Sequence, residues 1–231
     1  MQNRSRWIAL VVLCTGMLMI VLDMTIVNVA LPSIQADLGF SQAGLAWVVN
    51  AYLWLRDTGG DDARIVVAGD SSAGGLVMSL LLALRERDLP MPAGAVLMCP
   101  WVDLTGRTQR PPQDSPLVFS PDMAHRLAQA YLAGQPADDP LLDPLHTSLA
   151  GLPPLLIHAA SGDSALQEAQ LLTQHATQCG VDARIKIYPV PTHAFHIFWS
   201  FLPEARHAID EIGRFVRAVT TPEESASGQP G

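Results

Sequence analysis

The residues best suited to chemistry lie in Gly69-Asp70-Ser71-Ser72-Ala73-Gly74-Gly75, which follows a short β-branched run and opens a helical pattern. A serine held at a sharp strand-to-helix turn can present its hydroxyl as a nucleophile. Such a turn needs small residues two before and two after the serine, because strand and helix approach each other there. Around Ser71 these are Gly69 and Ala73; around Ser72 they are Asp70 and Gly74. The spacing favours Ser71 as the nucleophile. The competing reading is a glycine-rich turn that binds an anion through its N–H groups. Against it, the run has no G-x-G-x-x-G pattern and no nearby lysine.

A serine hydroxyl needs a base, and the base needs an orienting acid. Asp163 follows a third predicted strand and His193 a fourth, so the chain order is Ser71, Asp163, His193. All three lie just past the C-terminal ends of predicted parallel strands, where open α/β sheets build their sites. Singly they have plainer readings: an aspartate after a strand is commonly a helix cap, and a loop histidine is commonly solvated. His196 could be a metal partner of His193, but no third ligand is evident in the sequence. His158 reads as a core histidine; His125, His146, His175 and His207 read as surface residues. Glu168 reads as either supporting the Asp163 turn or exposed. Cys99, at a strand end before Pro100, has no evident partner base.

The elements that must position these groups alternate. Strands are predicted at 65–69, 95–98, 155–159 and 184–188. Helices are predicted at 74–87, near 121–133, at 164–179 and at 204–219, with Leu76, Leu80, Ala83 and Leu84 sharing one face of the first. Strands alternating with helices imply βαβ units and a parallel sheet. The tail, 220–231, is small and polar and reads as disordered.

The first 55 residues differ in kind. They hold four charges, Arg4, Arg6, Asp23 and Asp37, which cancel, so the net charge of −8 resides in 56–231. Residues 7–34 carry Asp23 as their one charge, enough apolar length for a transmembrane helix. Arg4 and Arg6 favour a cytoplasmic N-terminus. A signal peptide is the rival reading, and no convincing small-x-small cleavage site supports it. Residues 41–55 are short for a second span. If they do span, residues 56–231 are cytoplasmic, the side expected here, where Arg56 and Arg64 fit the charge rule; if they do not, that portion lies outside.

Composition excludes several classes. With 14 basic against 22 acidic residues, a nucleic-acid partner is not expected, nor is a polybasic lipid contact. Three distant cysteines, Cys14, Cys99 and Cys179, make neither a disulfide framework nor a zinc spacing. An apolar content of 49% excludes disorder for most of the chain.

Longer stretches carry two resemblances. Leu22 to Pro32, with Gln42, Trp47, Asn50 and Tyr52, resembles the first helix and the opening of the second of a major facilitator superfamily multidrug antiporter, over residues 1–55. One helix and a fragment cannot form a transport path between repeats. Residues 52–219 resemble the C-terminal part of hormone-sensitive-lipase-like, fold-3, α/β-hydrolases. The matching stretches are Gly69-Asp70-Ser71 with Ala73-Gly74-Gly75, Pro100 to Thr105, Asp143-Pro144-Leu145, Leu152 to Ile157, Asp163 with Leu166 and Glu168, and His193-Ala194-Phe195. That resemblance implies hydrolysis of carboxylic esters through an acyl-enzyme, without cofactor or metal. It implies Ser71 as nucleophile, His193 as base then acid, and Asp163 as its orienting partner. The family's upstream His-Gly-Gly-type loop has no counterpart here, which leaves the Ser72 N–H as oxyanion donor. The family's topology also implies that the strand at 65–69 is an exposed apolar edge, open to self-association.

The domain organisation expected is therefore an antiporter-like membrane segment at 1–55, a truncated α/β-hydrolase domain at 56–219 and the tail at 220–231. Ala51 to Arg56 suits both parents and marks the junction of a fusion. The function expected is membrane-anchored ester hydrolysis of a small-molecule substrate, impaired by the lost loop. The alternatives are a hydrolase remnant that acts through binding and, more remotely, a residual antiporter component.

Overall fold

The structure is a computed structural model that describes residues 46–58, 65–108, 121–132 and 134–221. The apolar segment at 7–34 and the tail beyond 221 lie outside the described residues. Among the described residues no helix is long and apolar enough to cross a membrane. Helix α1 (Ala46–Asp57) runs through the junction expected near residue 55. It buries Val49 and Tyr52, three residues apart on one face, and the Tyr52 hydroxyl donates to the Pro90 carbonyl at 3.0 Å.

Four strands, β1 (Val66–Asp70), β2 (Gly94–Met98), β3 (Leu155–Ala160) and β4 (Ala183–Tyr188), form one sheet in the order β1-β2-β3-β4. Every pairing is parallel, with Val67 opposite Ala95, Val96 opposite Leu156 and Ile157 opposite Ile185. The four strands expected from the sequence are all present, with ends displaced by one residue at most. All six residues of β3 are buried, as an inner parallel strand requires. The two edges differ. β4 carries Arg184 and Lys186, which blunt its open side. β1 carries no charge before Asp70 and, among the described residues, pairs only with β2.

The helices are α2 (Ser72–Glu86), α3 (Pro121–Leu132), α4 (Leu166–Gln178) and α5 (Pro203–Thr220). The one-faced burial expected of α2 is corrected: Val77 through Leu84 are buried without interruption. A helix that is apolar on all sides lies inside the fold. Met78, Leu81 and Leu82 meet Leu97, Leu155, Ile157 and Leu172 in the main core. The last helix, α5, starts at Pro203, where a missing N–H costs nothing. It seals the other side with Ala205 and Ala208 against Tyr188, Val190 and Phe195.

Beneath the C-terminal edge of the sheet lies a buried histidine pair. His158 Nδ1 and His196 Nε2 are 3.2 Å apart, with the rings stacked at an interplanar angle of 4°. His158 Nε2 lies 3.6 Å from Glu211, whose Oε2 also meets Lys186 Nζ at 3.0 Å and accepts from the Tyr188 hydroxyl at 2.6 Å. Burial pushes His158 down to about 4, outweighing the pull of Glu211. Burial, helped by repulsion from His158 and His193, pushes His196 down to about 3. Both rings are neutral near pH 7, and His196 packs between His158 and Phe195. Below pH 6.5 the unfolded chain takes up protons that the native pair refuses, so the pair costs stability as pH falls from about 6.5 towards 4. At about 1.4 kcal/mol per pKa unit this is several kcal/mol for the two rings. A His158→Gln, His196→Gln double variant should gain on the wild type over that window in urea midpoints. A difference independent of pH would refute this origin.

Candidate active site

The site begins with the backbone of Ser71, at φ 57° and ψ −120°. A positive φ is costly for a side-chain-bearing residue and persists only where its surroundings impose it. The Ser71 N–H donates to Met98 O at 2.9 Å. The Ser71 carbonyl accepts from Gly74 N at 3.0 Å and from Trp101 N at 2.9 Å. The turn is thus tied both to its own helix and to the chain leaving β2.

Gly69 is required by the same turn. A Cβ there would lie 2.2 Å from the carbonyl oxygen of Ala73, a backbone atom that cannot swing aside. At Gly75 a Cβ would meet Trp101 O at 2.4 Å. Gly69→Ala should therefore cost about 3 kcal/mol or more, at the high end for a single added methyl group. An unchanged urea midpoint would show that the turn relaxes freely.

His193 must reach Ser71 across the sheet. Ser71 follows β1 and His193 follows β4, three strand spacings or about 14 Å apart. The segment after β4 closes that distance by crossing back over the strand ends. Gly162 lets it pass, since a Cβ there would lie 2.6 Å from Pro191 Cα. The Gly162 N–H donates to Val190 O at 3.1 Å and fixes the crossing. Ala194 then takes a left-handed conformation, φ 52° and ψ 32°, that turns the chain into the 3₁₀ helix Phe195–Phe198.

The result is a continuous chain of hydrogen bonds. His193 Nε2 lies 2.7 Å from Ser71 Oγ, and His193 Nδ1 lies 2.8 Å from Asp163 Oδ2. Asp163 is 4% exposed, and its other oxygen accepts from Ala165 N at 3.0 Å. With the proton on Nδ1 donated to Asp163, Nε2 is free to accept the Ser71 hydroxyl proton. Burial alone would lower the His193 pKa. The hydrogen bond and charge of Asp163, aided by Asp70 and Glu168, outweigh it and hold His193 above its usual value. The three residues singled out by chain order are therefore within hydrogen-bond reach. Ser72 is exposed as the first residue of α2, where N–H groups have no intrahelical partner.

Three further groups surround the site. Burial pushes Asp70 up to about 6, against the pull of His193. Glu168 is fully buried, which settles its position against the exposed reading. Its Oε2 accepts from Val102 N and Asp103 N, each at 2.8 Å, so it clamps the segment after β2 to α4. Burial pushes Glu168 up to about 8 in spite of these two donors. Cys99 is 1% exposed, with φ 46°. It lies beneath the crossing segment, beside both Asp163 and His193, a neighbour not apparent from sequence spacing. His175, expected at the surface, is half-buried, with Nε2 2.8 Å from Thr147 O.

Beside Ser72 and Ala73 opens an apolar cavity of about 340 Å³. Leu76, Val102, Leu104, Leu127 and Leu142 line it, and Ser79 and Tyr131 add hydroxyl groups. Its volume is at the lower end of small-molecule sites.

A family profile described as alpha/beta hydrolase fold matches residues 42–197. An acetyl-hydrolase of Streptomyces hygroscopicus is 36% identical over 174 residues, covering 74% of this chain and 58% of that protein. The crystal structure of an esterase from the bacterial hormone-sensitive lipase family superposes with a TM-score of 0.71 at 36% identity, covering 77% of this chain and 60% of that one. A shorter match of 44 residues, 54% identical, is to a cephamycin export protein of Amycolatopsis lactamdurans, covering 19% of this chain and 9% of that protein. The chain thus spans about three-fifths of the length of the esterase relatives it matches.

Proposed function

This chain belongs to the alpha/beta hydrolase fold family, and from that premise we propose that it hydrolyses carboxylic esters of small molecules through an acyl-enzyme. The observation that carries the reading is the hydrogen-bonded chain from Ser71 through His193 to Asp163. In this reading Ser71 Oγ attacks the ester carbonyl while His193 Nε2 takes its proton. Asp163 holds the imidazole in the required tautomer and stabilises the imidazolium. His193 then returns the proton to the leaving alcohol, and water repeats the sequence on the acyl-Ser71 ester. The Ser72 N–H donates to the oxyanion, and the apolar cavity beside it takes the acyl chain. With one donor where two would serve, turnover is about 10² to 10³ below that of a complete oxyanion site. No cofactor or metal takes part in these steps.

The direct test is covalent. A fluorophosphonate probe should add once to the folded protein, on the peptide that carries Ser71. Excess p-nitrophenyl butyrate should slow labelling while p-nitrophenol is released. Failure of the folded protein to label, with no ester turnover, would leave a hydrolase remnant that acts through binding.

Residues 7–34 anchor the protein in a membrane as part of a 1–55 segment fused to the hydrolase domain at 56–219. The export-protein match supports the fused origin. Retention of the chain in the membrane pellet after alkaline carbonate extraction tests the anchor. Self-association through the β1 edge is tested by size: a monomer in detergent at micromolar concentration would exclude it.

A further inference from the structure

We propose that Cys99, Asp163 and His193 form an inhibitory site for a thiophilic divalent cation, zinc above all, which switches the proposed ester hydrolysis off by occupying the base. The inference rests on the functional reading for its consequence but not for its chemistry. One ligand atom from each residue, the Cys99 sulfur, a carboxylate oxygen of Asp163 and a ring nitrogen of His193, lies within 4.8 Å of the other two. Donor atoms around a tetrahedral zinc lie about 3.3 to 3.7 Å apart, given bonds of about 2.0 to 2.3 Å. The set therefore has to close by about 1 Å at its widest. A thiolate, an imidazole and a carboxylate form a donor set suited to zinc, and three protein ligands leave a fourth position for water.

Burial and the charges of Asp163 and Asp70 push the Cys99 thiol well above its usual range, against a weaker pull from the Ala194 N–H, so the metal ion has to displace a firmly held thiol proton. The charges of Asp163 and Asp70 set a negative field around His193, which favours a cation. Of the His193 nitrogens, Nδ1 faces Asp163 and Nε2 faces Ser71. Cys99 and Asp163 are buried beneath the segment that carries His193 and Ala194.

Occupancy would stop the chemistry through proton placement. The Cys99 thiol proton leaves for solvent as the sulfur binds metal. The imidazole proton moves from Nδ1 to Nε2 as Nδ1 takes the metal, so the ring stays neutral. Nε2 then donates towards Ser71 Oγ instead of accepting from it, and Ser71 has no base.

Cobalt(II) and zinc, each added to the full-length protein in detergent, test this. Cobalt should give a sulfur-to-metal charge-transfer band in the near ultraviolet and tetrahedral visible bands. Cys99→Ser should lose the charge-transfer band, while Cys179→Ser, altering the cysteine 3.9 Å from His175, should keep it. Zinc should suppress p-nitrophenyl butyrate turnover, chelator should restore it, and magnesium should have no effect. Cys99→Ser should need at least the 10- to 100-fold more zinc that loss of even an outer-shell partner costs a metal site. Absence of the charge-transfer band from the folded wild-type protein overturns the proposal whether or not esters are hydrolysed. Equal zinc inhibition of wild type and Cys99→Ser overturns it too. Failure of ester turnover with the band present counts against the functional reading alone. Circular dichroism of Cys99→Ser separates a lost ligand from a lost fold, and Cys99→Ala gives a second variant if the serine form is unstable.

Discussion

Ser71→Ala should lower p-nitrophenyl butyrate turnover by about 10⁴ to 10⁶ and abolish fluorophosphonate labelling, while Ser72→Ala keeps both. The contrast tests two neighbouring hydroxyls in one turn. Ser71 Oγ is the one 2.7 Å from His193 Nε2. The proposed part of Ser72 is its backbone N–H, which alanine supplies equally well, so Ser72→Ala removes only a side chain. Reversal of the two results would place the nucleophile at Ser72 and would contradict the small-neighbour argument. Equal loss in both would mean that either substitution distorts the turn. Retention of structure in Ser71→Ala, read by thermal melting, excludes that outcome for the main comparison.

Asp163→Asn should lower kcat/KM by about 10⁴, because the amide favours the wrong imidazole tautomer. The pH profile should move as well. His193 is held above its usual pKa chiefly because the hydrogen bond and charge of Asp163 outweigh burial. Since the neutral ring is the base, kcat/KM of the wild type should rise with pH through that elevated value. Removing the carboxylate lets burial dominate, so the acid limb of the variant should shift to lower pH as its plateau falls. A smaller plateau with an unmoved acid limb would mean that Asp163 orients the ring without setting its charge.

Much of the site and its sheet is legible in the sequence because it is local. Ile65-Val66-Val67 and Leu155-Leu156-Ile157 are continuous apolar runs, the first of them β-branched throughout, and buried parallel strands are built of such runs. The choice of Ser71 over Ser72 rests on the small residue at 69, and the 2.2 Å contact awaiting any Cβ there is its physical basis. The features that escape depend on groups far apart in the chain. Glu168 is an acid on a helix, a residue type almost always exposed, and only two backbone donors from the segment after β2 explain its burial. Cys99 has no neighbours visible in the sequence because those neighbours arrive from beyond β3 and β4. The pairing of His158 with His196 likewise joins residues 38 positions apart, through a loop whose path no periodicity reports. The continuous burial of Val77 through Leu84 depends on the elements packed around α2, which the α2 sequence does not carry.

The crossing of His193 over the sheet also has a consequence in time. Its partner Ser71 lies 122 residues earlier in the chain. A chain emerging from the ribosome exposes the serine turn long before the histidine exists, at about 5 to 20 residues per second. Throughout that interval Ser71 is an ordinary alcohol, inert towards esters and towards fluorophosphonates. Reactivity switches on only when β4 has docked and the segment behind it has returned across four strand ends. Probe labelling therefore doubles as a clock for completion of the sheet, and ribosome-bound chains released at increasing lengths should turn reactive in one step, not gradually.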